Sequence, residues 1–85
     1  MSNRTDIFFH IDAERVYQDS KWGLAFDDDN TVNDWVAYIA QYAGNAIADD
    51  PQTQRKMLLK VATLAVAALE AFERNNGFSK RHYDK

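Results

Sequence analysis

One stretch of the sequence, PQTQRKMLLKVATLAVAALEAFERN at residues 51–75, constrains the fold most because it predicts a single long helix. Both of its limits are marked. Asp50 can cap the N-terminus through its carboxylate, and a proline suits the first helical position because an N–H would lack a partner there. Gly77 lies just past the predicted end, where a left-handed residue costs glycine little. We therefore expect the helix to begin at Pro51 and to end near Asn75.

The predicted helix is apolar around most of its circumference in its second half. Between residues 61 and 72 only Thr63 and Glu70 are polar, so the apolar stripe almost encircles the helix. Such a helix needs cover on several sides, and a chain of 85 residues has few elements that can supply it. We therefore expect the chain to form a homodimer or a higher homo-oligomer.

Two further helices are predicted upstream, at about residues 5–20 and 32–48, because apolar residues recur there every three or four positions. The sequence thus predicts an all-α fold, a three-helix antiparallel bundle whose third helix is 51–75. We expect one helical domain at residues 1–76 and a polar, basic C-terminal tail at 77–85.

Composition narrows the classes of function. A hydrophobic content of 46% excludes a disordered chain, and a net charge of -3 argues against a nucleic-acid polymer as partner. The absence of cysteine excludes a disulfide framework and thiolate zinc sites. No secretory signal develops at the start, and no apolar run reaches the roughly 20 residues that a membrane span needs. We expect a cytoplasmic protein that does not bind a membrane.

The richest cluster of polar and aromatic residues lies at the corner between the first two helices. Residues 24–30 predict a loop whose three aspartates, at 27–29, must be hydrated or hold a cation. Thr31 and Asp34 resemble a capping box that opens the next helix. An aromatic ring, a cation and carboxylates at such a corner could hold a nucleobase by stacking and a phosphate by charge. The candidate ligand-binding residues are Glu14, Arg15, Gln18, Lys21, Trp22, Asn33, Trp35 and Lys60.

A structural interpretation of the same residues stays open. Trp22 and Trp35 can both be core residues, with Lys21 and the aspartates at a hydrated edge. Glu70 interrupts an apolar run, so it can pair with Arg15 or Lys60 instead of lining a cavity.

Other kinds of site are poorly represented. A magnesium site needs several converging carboxylates, and the weak candidates for it are Glu14, Asp19, Asp28 and Glu70. His10 and His82 are the only histidines, and no cysteine or glycine-framed serine accompanies them, which excludes a nucleophilic triad. The sequence also lacks a P-loop and a dinucleotide-binding glycine motif.

The pattern ERxxQxxKWG at residues 14–23, an acidic loop, AYIAQYA in the second helix and RKxLxKVAxLAVAALE at 55–70 together resemble short bacteriophage-encoded proteins. Those proteins are similar to the MazG-like, all-α nucleoside triphosphate pyrophosphohydrolases. The resemblance covers about residues 6–74. It implies helical dimers or tetramers, a nucleotide-sized pocket between helices, and magnesium held by an ExxE pair and an ExxD pair. Neither acidic pair can be placed in this sequence.

Three hypotheses follow from this pattern. The first is a non-catalytic nucleotide binder without a cofactor, which in a phage would sequester a nucleotide immune signal in the host cytoplasm. The second is a reduced, magnesium-dependent pyrophosphohydrolase whose ions are held by Glu14, Asp19, residues 27–29 and Glu70. The third is an inhibitor or interaction module that binds a host protein.

Overall fold

The computed structural model describes residues 3–81, 83 and 84, and within them all regular secondary structure is helical apart from one isolated bridge. The all-α prediction is confirmed. No helix among these residues has the length and apolar character that crossing a bilayer requires. The four helices are α1 (Asn3–Trp22), α2 (Leu24–Asp29), α3 (Val32–Asn45) and α4 (Pro51–Asn75).

The number of helices differs from the prediction. The segment expected to be a loop forms the short helix α2, which begins directly after Gly23 at a backbone φ of 82°. Six residues are too few to show a helical period, and three consecutive aspartates are typical of a hydrated loop, so the sequence does not predict a helix in this segment. Its C-terminus closes where the Asn30 N–H donates to the Asp27 carbonyl at 3.2 Å.

The start of α3 and the two ends of α4 follow from their capping residues, whereas α3 ends at Asn45, three residues before the predicted end at residue 48. Thr31 and Asp34 form the predicted capping box, each side chain accepting from the other's backbone N–H. Asp50 accepts from the Thr53 N–H at 2.8 Å, and this hydrogen bond lowers the pKa of the Asp50 carboxyl. At the other end of α4 the backbone turns left-handed at Asn76, one residue before the predicted Gly77, and φ stays positive at Gly77.

The buried core is small and lies between α3 and α4. Trp35 on α3 packs on alanines of α4, whose small side chains let the two helices approach closely. Thr63 on α4 is fully buried, and its hydroxyl donates to the Leu59 carbonyl at 2.6 Å within the same helix. The buried apolar side chains among the described residues are Trp35, Ala67, Ala68 and Ala71.

The predicted three-helix antiparallel bundle is not confirmed, because α1 does not pack directly on α3. Both α1 and α3 pack on α4, but no Cα of α1 comes within 8 Å of a Cα of α3. Side-chain pairs from α1 to α4 rise together along both helices, from His10–Arg55 to Glu14–Lys60, so these helices run in the same direction. A groove therefore lies between α1 and α3, with α4 beneath it.

The segment after α4 packs against the helices. Phe78 meets Phe72 edge to face with 5.2 Å between ring centroids, and the Ser79 hydroxyl donates to the Asp28 carbonyl at 2.6 Å. Farther along, the Asn33 amide donates to the Tyr83 hydroxyl at 3.2 Å. The predicted tail also contains His82 and Lys85, which lie outside the described residues.

Candidate functional site

The groove between α1 and α3 holds a cavity of about 330 Å³. This volume is at the lower end of the range of about 300–1,000 Å³ that small-molecule pockets occupy. All four helices contribute to its walls, with aromatic, charged and amide side chains among them. The lining residues are Glu14, Tyr17, Gln18, Lys21, Trp22, Phe26, Asp27, Asn30, Trp35, Tyr38, Tyr42, Lys60, Leu64 and Ala67.

The structure brings together most of the residues selected from the sequence. Arg15 is buried behind the groove and does not line it, and Asn33 bonds Tyr83 instead. The candidates that line the cavity are Glu14, Gln18, Lys21, Trp22, Trp35 and Lys60.

An aromatic pair forms one wall of the pocket. The Trp22 and Phe26 rings are stacked with 5.6 Å between centroids and 30° between planes. The Lys21 ammonium lies 4.9 Å from the Trp22 ring centroid and 5.8 Å from that of Tyr17. Trp22 remains 56% exposed, so a planar ligand can reach its indole. Stacking of this kind binds any base, because every base has a π-face.

The pocket also carries both signs of charge. Lys60 from α4 donates to the Glu14 carboxylate from α1 at 2.6 Å, and both side chains are about a quarter exposed. Lys21 stands at the exposed side with its charge over the rings. A ligand with phosphate oxygens would gain charge-assisted hydrogen bonds from these ammonium groups.

Arg15 organises the carboxylates behind the pocket. Its guanidinium donates to Glu70 at 2.8 Å, to Asp19 at 2.8 Å and to the Gln18 amide oxygen at 3.0 Å. Burial lowers the pKa of Arg15, but its bonds to Glu70 and Asp19 outweigh that effect and raise the pKa. The alternative in which Glu70 pairs with Arg15 is confirmed.

Asp27 is the buried member of the acidic run. Of the two expected alternatives for the aspartates, hydration or a bound cation, hydration does not describe Asp27, which is buried with a carboxylate oxygen 3.7 Å from the Arg15 guanidinium. Burial raises the pKa of the Asp27 carboxyl, Arg15 opposes the rise, and the net pKa stays above its ordinary value. The pocket environment therefore disfavours the charge of Asp27.

Asp27→Asn should stabilise the chain at pH 7. The folded chain takes up a proton on Asp27 at higher pH than the unfolded chain does, because the folded-state pKa is raised. This carboxylate therefore destabilises the folded chain at pH values above its raised pKa. The destabilisation disappears as the pH falls through that pKa toward 3.8, the ordinary pKa of an aspartate side chain. We expect the free energy of unfolding to rise by about 0.5–1 kcal/mol at pH 7, within the range of single stabilising substitutions. Near pH 3.8 it should change little.

Thermal unfolding across this pH range measures the effect, with the exposed Asp29→Asn as the matched control. Asp29 lies two residues farther along the chain and is exposed, so its substitution should leave the Tm nearly unchanged. A Tm of Asp27→Asn that is equal to or below that of the native chain at pH 7 contradicts the prediction.

The candidate metal ligands are each bound to a cation or a donor of the chain. Glu14 pairs with Lys60, and Asp19 and Glu70 share Arg15. Asp28 accepts from Arg74 and Asn75, which lowers the pKa of its carboxyl. Among the residues that the structure describes, no group of three or more histidine or acidic side chains is arranged to hold a metal ion.

Several pocket residues were missed by the sequence interpretation. Tyr38 and Tyr42 follow Trp35 on α3 at helical spacing, so their common face could have been inferred from the period. Phe26 and Asn30 could not, because their positions depend on α2. These missed residues supply much of the aromatic and amide lining.

Comparison with known proteins gives no match: no family model, no curated protein and no solved structure matches this chain. The resemblance to MazG-like proteins therefore stays a prediction. The pocket's own chemistry is the basis on which a function can be proposed.

Proposed function

We propose that this protein binds a nucleotide-like small molecule in the groove between α1 and α3 without hydrolysing it. The observation that carries the proposal is the half-exposed Trp22–Phe26 stack beside Lys21 and Lys60, in a cavity of about 330 Å³. The rings can hold a base by stacking, and the ammonium groups can hold phosphate oxygens.

The ion pairs support binding without hydrolysis. Pyrophosphate release in the MazG-like manner would require carboxylates that are free to hold magnesium. Here Glu14 forms an ion pair with Lys60, and Asp19 and Glu70 form ion pairs with Arg15. Releasing them for a metal would leave Arg15 buried without its partners, which is costly.

A protein that binds a nucleotide without cleaving it can act by sequestering that nucleotide. The resemblance to phage proteins suggests that the ligand is a nucleotide immune signal of the host, which the protein removes from circulation. A sequestering protein must bind tightly and be made in excess of its ligand. A small chain that does not turn its ligand over fits this role.

A direct binding test separates the proposal from its competitors. Isothermal titration with GTP, ATP, cyclic di-GMP and cyclic di-AMP should give saturable binding to at least one of them. After denaturation, mass spectrometry should recover that ligand intact. Magnesium-dependent release of pyrophosphate would instead favour the pyrophosphohydrolase. Binding of no nucleotide, with a host protein that co-purifies stoichiometrically, would favour the interaction module.

Trp22→Ala should weaken the binding of any nucleotide about 5- to 150-fold, because stacking on an aromatic side chain contributes roughly 1–3 kcal/mol per base. Val36→Ala is the matched control, since Val36 is similarly exposed but does not line the pocket. Equal nucleotide affinities of Trp22→Ala and the native chain would show that the aromatic wall of the pocket does not contribute to binding.

We also propose that the chain acts as a homo-oligomer, with the outer face of α1 in the interface. Phe8 and Phe9 are more than half exposed, Phe9 by 71%, and Arg15 is the one buried side chain among the described residues of α1. A second, apolar groove of about 410 Å³ lies at the start of α4 beside Ile7 and Leu58. The exposed phenylalanines and this groove are apolar surfaces that a copy of the chain would cover.

Light scattering coupled to size exclusion should give a mass of at least twice the 9.8 kDa of one chain. Replacing Phe8 and Phe9 together by aspartate should yield the monomer, while Ile47→Asp, at an exposed site on the α3–α4 connection, should leave the mass unchanged. A native chain that elutes as a monomer at micromolar concentration contradicts this part of the proposal.

A further inference from the structure

The side of α4 that faces away from the nucleotide pocket carries an apolar seam. Its residues recur at alternating steps of four and three along the helix, which is the spacing of a coiled-coil interface. These residues, the α4 seam, are Leu58, Ala62, Ala65, Leu69 and Phe72. Leu58 is 59% exposed and Leu69 62%, so the larger aliphatic side chains of the seam are open to a partner. The residues of α4 that line the pocket, Lys60, Leu64 and Ala67, lie about half a turn away.

The chain exposes more surface than a compact monomer of its mass. Its accessible surface is 6276 Å², whereas a folded monomer of 9.8 kDa exposes about 5,200 Å². The excess of about 1,100 Å² is larger than the roughly 800 Å² that each partner buries in a standard interface. The uncovered surface is therefore large enough for one stable contact with a second copy.

The two halves of the seam are complementary in shape. The N-terminal half borders the second groove, of about 410 Å³, whose lining includes Leu58, Ala62 and, from α1, Ile7. The C-terminal half instead presents Leu69 and Phe72 as exposed side chains. A copy that runs antiparallel places these side chains at the groove, and a two-fold axis repeats the contact. A parallel copy would place groove beside groove.

Charge favours the same antiparallel direction. Arg55 precedes the seam, Glu73 follows it, and both are exposed. Eighteen residues separate them, which is five whole turns, so they lie on one side of the helix and about 27 Å apart along its axis. In an antiparallel pair each Arg55 comes opposite Glu73 of the other copy, whereas a parallel pair would bring like charges together. Arg55 bonds His10 through one nitrogen and has further donors for a carboxylate.

We infer that the α4 seam packs antiparallel on the α4 seam of a second copy, with Leu69 of each chain at the groove beside Leu58 of the other. This contact rests on the homo-oligomer proposed above and lies at its centre, because Ile7 connects the groove with the outer face of α1. The alanines at 62 and 65 let the two backbones approach closely. Both nucleotide pockets stay open in this pair, since they lie on the other side of α4.

Leu69→Asp should reduce the mass measured by light scattering at micromolar concentration at least twofold. The contact would bury the new carboxylate against an apolar groove, which is costly for an unpaired charge. Circular dichroism should show an unchanged helical content, because Leu69 is exposed within one chain. Val36→Asp is the matched control: Val36 is similarly exposed but lies on α3, so its substitution should leave the mass unchanged.

The mass of Leu69→Asp also distinguishes this contact from the homo-oligomer in general. If Leu69→Asp keeps the native mass while the replacement of Phe8 and Phe9 releases the monomer, the α4 contact is overturned and the homo-oligomer stands. If the native chain is itself a monomer, both are overturned.

Cross-linking tests the direction of the two helices. The chain contains no cysteine, so single cysteines can be introduced without background. A short bismaleimide should join a mixture of Arg55→Cys and Glu73→Cys chains into a covalent dimer. Either chain alone should give far less, since equivalent positions lie about 27 Å apart along the axis of the antiparallel pair. Efficient cross-linking of Arg55→Cys to itself, or no cross-link in the mixture, would overturn the inference.

Nucleotide titration of Leu69→Asp separates the dimer contact from the binding pocket. The affinity should equal that of the native chain, because the substituted residue lies on the opposite side of α4 from the pocket lining. A loss of affinity in the folded Leu69→Asp chain would contradict this placement. If the native chain binds no nucleotide, the binding proposal fails, whereas the mass and the cross-links still decide the contact.

Discussion

Arg15→Met should lower the free energy of unfolding by about 3–5 kcal/mol, the range observed when one partner of a buried ion pair is removed. Arg15 is the buried cation that holds Glu70, Asp19 and Gln18 and that lies beside the buried Asp27. Methionine fills a similar volume but leaves the Asp27 carboxylate without its opposing charge. The loss therefore comes mainly from the uncompensated acid and not from a cavity.

This origin can be tested by a second substitution. Adding Asp27→Asn to Arg15→Met should recover part of the lost stability, because the unpaired carboxylate is removed with it. The matched control is Arg55→Met on α4, whose guanidinium bonds His10 at an exposed position. Exposed pairs contribute about 0–1 kcal/mol, so this control should change little. Urea unfolding followed by circular dichroism, at one fixed protein concentration, measures all four chains.

Two outcomes would contradict the prediction. If Arg15→Met unfolds at the same urea concentration as the native chain, Arg15 does not hold the carboxylates together in solution. If Asp27→Asn fails to restore any stability in the Arg15→Met chain, the cost arises from lost packing instead.

The contacts of Arg15 also show what the sequence could and could not predict. Its pairing with Glu70 was one of two alternatives, because a charged residue that interrupts an apolar helical stripe needs a cation nearby. Its approach to Asp27 was not foreseen. Three consecutive aspartates indicate a hydrated loop, and only the short helix α2 turns one of them inward while Asp28 remains beside Arg74.

The helix limits were predictable wherever a capping residue determines them. Asp50 with Pro51, and Thr31 with Asp34, act through local hydrogen bonds that depend on residues three apart. The packing of α1 was not predictable from its own sequence. Its apolar residues suggested a helix with cover on more than one side, and the single chain leaves most of them exposed. Such cover depends on surfaces that lie far away in the sequence or on another copy.

The candidate site was predictable to the extent that it lies on long helices. Glu14, Gln18 and Lys21 recur one turn apart on α1, so their shared face followed from spacing. The two tryptophans could not be told apart, because a large aromatic residue fits a core and a stacking wall equally well. Only their exposure in the folded chain, 3% for Trp35 and 56% for Trp22, assigns them different roles.

Trp35→Ala should therefore destabilise the chain by about 3–5 kcal/mol, the usual cost of truncating a buried aromatic side chain. Trp35 is the largest residue of the buried core, whose other apolar members are alanines, and Tyr38, Leu64 and Phe78 pack against this core from positions that are only partly buried. The alanines cannot fill the space that the indole leaves. Trp22→Ala is the matched control, because it truncates the same residue type at the exposed wall of the pocket. It should cost less than about 1 kcal/mol, as for other surface substitutions.

Chemical unfolding and nucleotide titration of the same two variants should distinguish the role of Trp35 in stability from the role of Trp22 in binding. Trp35→Ala should lose stability whether or not a nucleotide is present, whereas Trp22→Ala should keep its stability and lose affinity. Equal losses of stability in the two variants would mean that Trp22 is also part of the core. In that case α1 closes over α3 in solution, and the groove that the nucleotide needs is filled by the chain's own side chains.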